Sequence, residues 1–418
     1  MNASLNFRKY LFFLITILVF LDPLLFKIDL GPITITSLRV ILIISIYYFL
    51  YELIFKPKWA NYNEIRIYLL FFLIWFSYGG VAVLWSNDPN LAIRQLYYFS
   101  MFILFILLLV KVLSAQESYK WVYRIFWVIG VLMVGLSFIE MITNIHLPTS
   151  RLYNQDTAQY ISTGFFYNEN DHAYFLVLIA PFFLLNITRK KILLSIINAM
   201  IYAAIFIVIY INDSKAALIS LFLQIVIMNL FILDYKKIYK VLLSSVALFG
   251  IIGVFFFTPV GEKVLTILNS LKFSNGSAFV RLNLYLNGLY ALSDHWFFGV
   301  GPGNFITNIY ENFNTGGIIN PHNWWIEILT EYGVFIFGLY LLFFVSLIIQ
   351  LFKIGKSKIS ESKVSIALFL SFIGFILASI GPSSLFYHWT MWLFYGVAIA
   401  IINNVRIKQK KTLNIKQK

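Results

Sequence analysis

Runs of apolar residues, parted by short polar or basic segments, repeat along the whole chain of 418 residues. They fall at 10–26, 34–55, 66–84, 96–113, 121–142, 172–187, 192–211, 216–233, 241–258, 324–352, 364–380 and 386–405. Each is continuous and close to the ~20 residues with which an α-helix crosses a hydrocarbon core of about 30 Å. A barrel strand would instead alternate apolar and polar positions, so strands are not expected. The pattern predicts an all-α polytopic membrane protein with about 12 transmembrane helices. The first run lacks a small-residue cleavage site and reads as a span rather than a cleaved leader.

One segment departs from the pattern. Residues 259–323 form a loop of roughly 65 residues, and loops that long inside a compact chain usually serve a function. Within it Phe279, Leu282, Leu286, Leu289 and Tyr290 recur at helical spacing, which predicts an amphipathic helix lying at the membrane interface. A glycine-rich turn follows at 299–303, and Pro321-His322-Asn323 then runs directly into the tenth span. The expected organisation is one integral-membrane domain: helices one to nine in 1–258, the loop 259–323, helices ten to twelve in 324–405, and a basic tail at 406–418.

Composition agrees, since 60% of the residues are hydrophobic and only 12% charged, more apolar than a water-soluble core of this size requires. Cysteine is absent, which excludes disulfides, thiolate metal ligands and a cysteine nucleophile. The net charge of +14 suggests nucleic acid only until it is placed on the predicted topology. With a cytoplasmic N-terminus, 24 of the 32 Lys and Arg residues lie on inward segments, whereas 13 of the 18 acids lie on outward ones. That bias is the positive-inside signal, with both termini cytoplasmic, and it argues against a nucleic-acid partner. All five histidines, His146, His172, His295, His322 and His388, fall on the outward side. The working face is therefore expected outside.

The candidate chemistry sits on that face. In Gly299-Val-Gly301-Pro-Gly303 the glycines permit either a tight turn with positive φ or close approach of backbone amides to a phosphate or sugar. The stretch is neither a dinucleotide fingerprint nor a P-loop. Asn323, Glu327 and Glu331 follow one another at four-residue spacing and share a helix face, and a carboxylate as deep as Glu331 calls for a partner. His322 has the intrinsic basicity to take a proton from a hydroxyl, or is an incidental loop residue. Arg39, Arg94, Lys215 and Arg281 are outward cations on four segments; each can snorkel, and together they suit a diphosphate. In Asn168-Glu169-Asn170-Asp171-His172 the side chains either cap a helix or offer ligands to a divalent metal.

These pieces resemble the O-antigen ligase and Wzy-type polysaccharide polymerase superfamily. The resemblance is carried by Arg281, FGVGPGNF and PHNWWIEILTEYG, with support from GFFYNENDHA and NDSKAAL. It implies a metal-independent membrane glycosyltransferase of GT-C-like fold, needing no cofactor, which takes glycan from an undecaprenyl-diphosphate carrier at the outer face of the bacterial cytoplasmic membrane. By the same resemblance Arg281 binds the diphosphate and His322 activates or orients the acceptor hydroxyl. Glu331 then orients His322 or pairs with an arginine, and Arg39, Arg94, Asn323, Gly301, Gly303 and Asn170 complete the substrate-binding set. Lys215 stands where the family usually has arginine, which exchanges a bidentate fork for a point charge. The implied partners are a lipid-linked oligosaccharide, a glycan or lipid-glycan acceptor, the bilayer and other polysaccharide-assembly proteins. Polymerisation of repeat units is the expected reaction, ligation to lipid A–core or another acceptor the alternative, and a transporter or flippase the rival from another class. A transporter would place its polar groups near the bilayer midplane rather than at one face.

Overall fold

The computed structural model describes residues 2–30, 33–55, 62–115, 117–155, 160–187, 191–232 and 277–416. Helix α1 (Asn2–Leu25) leads into a short antiparallel hairpin, β1 (Lys27–Leu30) and β2 (Ile33–Thr36), with Ile28 opposite Ile35. No strand was expected. The β-branched run Ile33-Thr34-Ile35-Thr36 favours an extended pleat over a helical turn. The second run therefore becomes helical only at α2 (Ser37–Phe55), whose Leu38 amide is taken by the buried Asp22 carboxylate at 2.6 Å.

Helix α3 (Arg66–Ala82) is followed by α4 (Pro89–Val112), which starts seven residues before the apolar run that predicted it. Its start is set by Asp88, which accepts from the amides of Asn90 and Leu91 ahead of the apolar stretch, with Pro89 at the first helical position. Arg94 and Gln95 therefore lie inside the helix. Helix α5 (Ser118–Thr143) matches its run closely. The sixth run is divided into α6 (Glu169–Ile179) and α7 (Pro181–Leu184), because Pro181 cannot donate to the preceding turn. Next come α8 (Ile192–Ile211) and α9 (Lys215–Ile227), the latter continuing as a π turn over Met228–Ile232. The ninth run, 241–258, lies outside the described residues, as does the loop before residue 277.

The expected amphipathic helix is α10 (Ser277–Asp294), which leaves Leu282, Leu286, Leu289 and Tyr290 exposed. The chain ends with α11 (Trp324–Lys356), α12 (Ser362–Ala378) and α13 (Trp389–Lys416). The basic tail from Arg406 belongs to α13 as far as Lys416. It stays helical and is tied to the bundle by Lys408 on Glu361, by Arg406 on the Glu64 carbonyl, and by Lys410 at 3.0 Å from the Glu64 carboxylate. Seven helical stretches among the described residues are long and apolar enough to cross a membrane. The chain is an all-α multi-spanning membrane protein.

Inside a bilayer, helices gain little from hiding apolar surface and associate through close packing. Here the packing is aromatic. Phe102 stacks on Trp392 at 4.8 Å, Phe71 stacks on Phe343 at 4.8 Å, and Trp75, Phe99 and Phe386 fill the space between. The cluster joins α3, α4, α11 and α13.

One break in this bundle positions everything that follows. Helix α11 is interrupted at Gly333, whose φ of 74° and ψ of 177° stop the ladder one turn past Ile328. The freed backbone groups are satisfied by the glycine-rich turn. The Val300 and Gly301 amides donate to the carbonyls of Thr330 and Glu331 at 2.9 and 3.0 Å, and the Val334 amide donates to the Phe297 carbonyl at 3.1 Å. A side chain on Gly333 would lie 2.5 Å from the Phe297 carbonyl oxygen, and one on Gly299 2.5 Å from the Gly333 nitrogen. The turn is anchored from the other side by the Trp85 indole on the Gly299 carbonyl and by Asn304, which accepts from the Asp88 amide at 2.7 Å.

Candidate functional site

The site is assembled at the end of the bundle where α4, α6 and α11 begin and α12 ends. Its centre is the connection 379–388 between α12 and α13. The Trp324 amide donates to the Ser379 carbonyl, and the His322 amide to the Ser383 carbonyl, both at 3.1 Å. Ser384 Oγ and the Leu385 amide hold the carboxylate of Glu327. Segment 168–172 braces the same connection from outside: Asn170 lies against Gly381, Asp171 faces the Ser383 backbone, and His388 Nε2 stands 3.7 Å from Asp171 Oδ2.

His322 is pinned in the left-handed region, φ 48°, by these contacts. Its Nδ1 lies 3.3 Å from the Gly381 carbonyl, which can only accept, so Nδ1 carries the proton and Nε2 is left as the basic nitrogen. Burial holds the imidazole below its ordinary basicity, and the nearby positive charge of Arg281 lowers it further. Arg281 reaches this spot from α10. It makes no ion pair or hydrogen bond among the described residues, although its charge also acts on Tyr285. Tyr285 in turn lies near enough to Asn323 for that side chain to act on its hydroxyl. Asn323 Oδ1 already caps α11 by accepting from the Trp325 amide at 3.0 Å, so its role here is to fix the helix start beside His322.

A cavity of about 370 Å³ adjoins this centre and is bounded by Asn320 and Pro321 on the His322 side. Arg39 and Arg94 enter it together, 4.7 and 5.9 Å from the ring centre of Tyr98. Glu327 and Glu331 line it one turn apart. The expectation that Glu331 orients His322 or pairs with an arginine is corrected by its contacts. It accepts from Gln95 Nε2 at 2.7 Å, and the backbone of Gly303 and Phe305 acts on its charge, because the break at Gly333 draws the glycine-rich turn onto this face. The turn's amides serve α11 in the same way. Gly301 donates to Glu331 and packs its bare Cα against Ser86, so it offers no free donor to a phosphate, while Gly303 lines the cavity.

The remaining candidates are placed as follows. Lys215 opens α9, 3.6 Å from Asp213, and does not line the cavity. Asn170 accepts from Ser214 Oγ at 3.2 Å, which links α6 to α9. The metal reading of Glu169, Asp171 and His172 fails on geometry: Glu169 is bidentate with Arg151, Asp171 faces Ser383 and His388, and His172 bonds Ser137. Among the described residues, no group of three or more His, Asp or Glu side chains is arranged to hold a metal ion. Sequence reading left Gln95 out of the site, because in the local pattern it looks like the polar edge of a span, whereas Tyr387 reads there as an outward aromatic that either stacks on a sugar face or belongs to an interfacial belt.

The site lies at one end of a multi-spanning bundle, and residues 199–343 match the family model described as O-Antigen ligase. Over 407 residues the chain is 29% identical to the Teichuronic acid biosynthesis protein TuaE of Bacillus subtilis (strain 168), an alignment spanning 93% of this chain and 82% of that protein. The family resemblance read from the sequence is thereby borne out. The matched region contains Lys215, Arg281, His322, Glu327 and Glu331.

Proposed function

We propose that this protein is a metal-independent glycosyltransferase that polymerises undecaprenyl-diphosphate-linked repeat units of a cell-surface polysaccharide, at the outer face of the cytoplasmic membrane. The observation that carries the reading is the pairing of His322, with Nε2 free to accept a proton, and Arg281, a guanidinium with no carboxylate of its own among the described residues. A sugar hydroxyl of the acceptor attacks the donor's anomeric carbon, and its proton passes to His322 Nε2. The bond from that carbon to the phosphate oxygen breaks, and the electron pair leaves with the diphosphate, whose charge Arg281 stabilises. Such a leaving group needs positioning and charge stabilisation more than covalent help. The kinship with a teichuronic acid biosynthesis protein supports an envelope glycan as the product class.

The test is purified protein in nanodiscs supplied with a lipid-linked repeat unit. Growth of a ladder of longer lipid-linked glycans, lost in His322→Ala, is the expected result. A single transfer to a different acceptor, with no ladder, would establish ligation instead, and no turnover with any acceptor would reopen transport.

A further inference from the structure

We infer that the cavity beside the His322 centre is a second diphosphate site, which holds the carrier end of the acceptor while Arg281 holds that of the donor. The inference rests on the polymerase reading, because only a polymerase joins two substrates that each carry the same lipid diphosphate.

The two cationic places are distinct. Neither Arg281 nor His322 lines the cavity, which stops at Asn320 and Pro321, and its own cations come from α2 and α4. Arg39 is 8% exposed, its Nε has no hydrogen-bond partner among the described residues, and one of its two terminal nitrogens reaches the Thr34 carbonyl. The nearby Asp22 already holds the Leu38 amide. Arg94 makes no ion pair among the described residues. A buried guanidinium with an unmet donor, set beside a second one on the same tyrosine face, calls for an anion with several oxygens. Two planar forks match two linked phosphates better than a single carboxylate.

The other wall fits what must follow a diphosphate. Glu327 and Glu331 already hold donors from Ser384, Leu385 and Gln95, which offsets part of their charge. Each carboxylate has lone pairs left to accept from sugar hydroxyls. The ring of Tyr387, fixed edge-on to Tyr98 at 5.2 Å, supplies an apolar face for the same sugar. A carrier-linked sugar would therefore enter with its phosphates on Arg39 and Arg94 and its ring toward the turn that carries His322. The far end of the repeat unit is then free to bring a hydroxyl to the base.

The experiment is equilibrium binding of radiolabelled undecaprenyl diphosphate to the full-length protein in nanodiscs, read as equivalents per chain. Wild type is expected to bind two. Arg94→Ala, an exposed position that should not disturb folding, is expected to bind one, as is Arg281→Ala, and the double variant none. Arg39→Lys keeps a charge at the buried position but lacks the fork, and should weaken the second equivalent at least tenfold. One equivalent in wild type, two in Arg94→Ala, or displacement of the second equivalent by inorganic pyrophosphate as readily as by the lipid would each overturn the inference. These outcomes are separable from the proposed reaction, since a protein that binds two equivalents but builds no ladder refutes the polymerase and not the site.

Discussion

In the proposed reaction His322 is the base, and its burial would set the pH at which that reaction runs. Because desolvation and Arg281 both lower its basicity, the imidazole stays neutral below the ordinary value of 6.5. The acid limb of kcat/KM against pH should therefore fall below 6.5; a limb above it would mean that another group is the base. The same sign governs stability. Below 6.5 the unfolded chain binds this proton more readily than the folded one, so His322 destabilises the fold as the pH drops. His322→Ala should reduce turnover by about 10²–10⁴-fold, the usual span for removal of a general base. Arg281→Ala should cost about 10²-fold or more, and Lys215→Ala clearly less, since Asp213 already offsets that charge. Equal losses at 215 and 281 would move the donor site toward α9. At this scale much was legible: a histidine before a span and an arginine on an amphipathic loop helix stand out in so apolar a chain. The partners of Glu331 were not, because Gln95 comes from 236 residues away.

Among the elements, the broken helix α11 governs the site. Its break depends on a glycine in a conformation that other residues rarely adopt, with the Phe297–Phe298 backbone where a side chain would go. Gly333→Ala should lower the thermal midpoint in detergent by an amount equivalent to about 1–3 kcal/mol and reduce activity with it. Gly338→Ala, with nothing within 4 Å of the added carbon, is the control and should be close to neutral. If both behave alike, the crossing of Gly333 with the 297–301 turn is not holding the site. The glycines were visible in the sequence, and so were their two readings. What decided for packing was that the amides of Val300 and Gly301 find the carbonyls released by the break, a pairing between segments 30 residues apart.

For the molecule as a whole, the orientation proposed from charge places both termini inside. The chain has no cysteine, so single introduced thiols report directly. Tyr167→Cys and Leu413→Cys replace side chains that are 66% and 60% exposed. In intact cells a membrane-impermeant maleimide should label position 167 and spare position 413 until the cells are opened; the reverse pattern would invert the topology and put the site inside.

By itself the sequence determined the class of this protein, since continuous apolar runs admit only spanning helices, and it determined which side chains are chemically unusual in such a chain. It also placed α8 and the start of α11 correctly, because hydrophobic periodicity and capping are local properties. The tertiary structure decided who meets whom. Arg39 and Arg94 are brought onto one tyrosine, Asp171 and Asn170 brace the loop that fixes His322, and Glu331 turns away from the histidine to Gln95. Those pairings depend on how helices distant in sequence cross, and helix crossing is set by the fit of buried aromatic side chains and by one glycine break, neither of which any local pattern encodes.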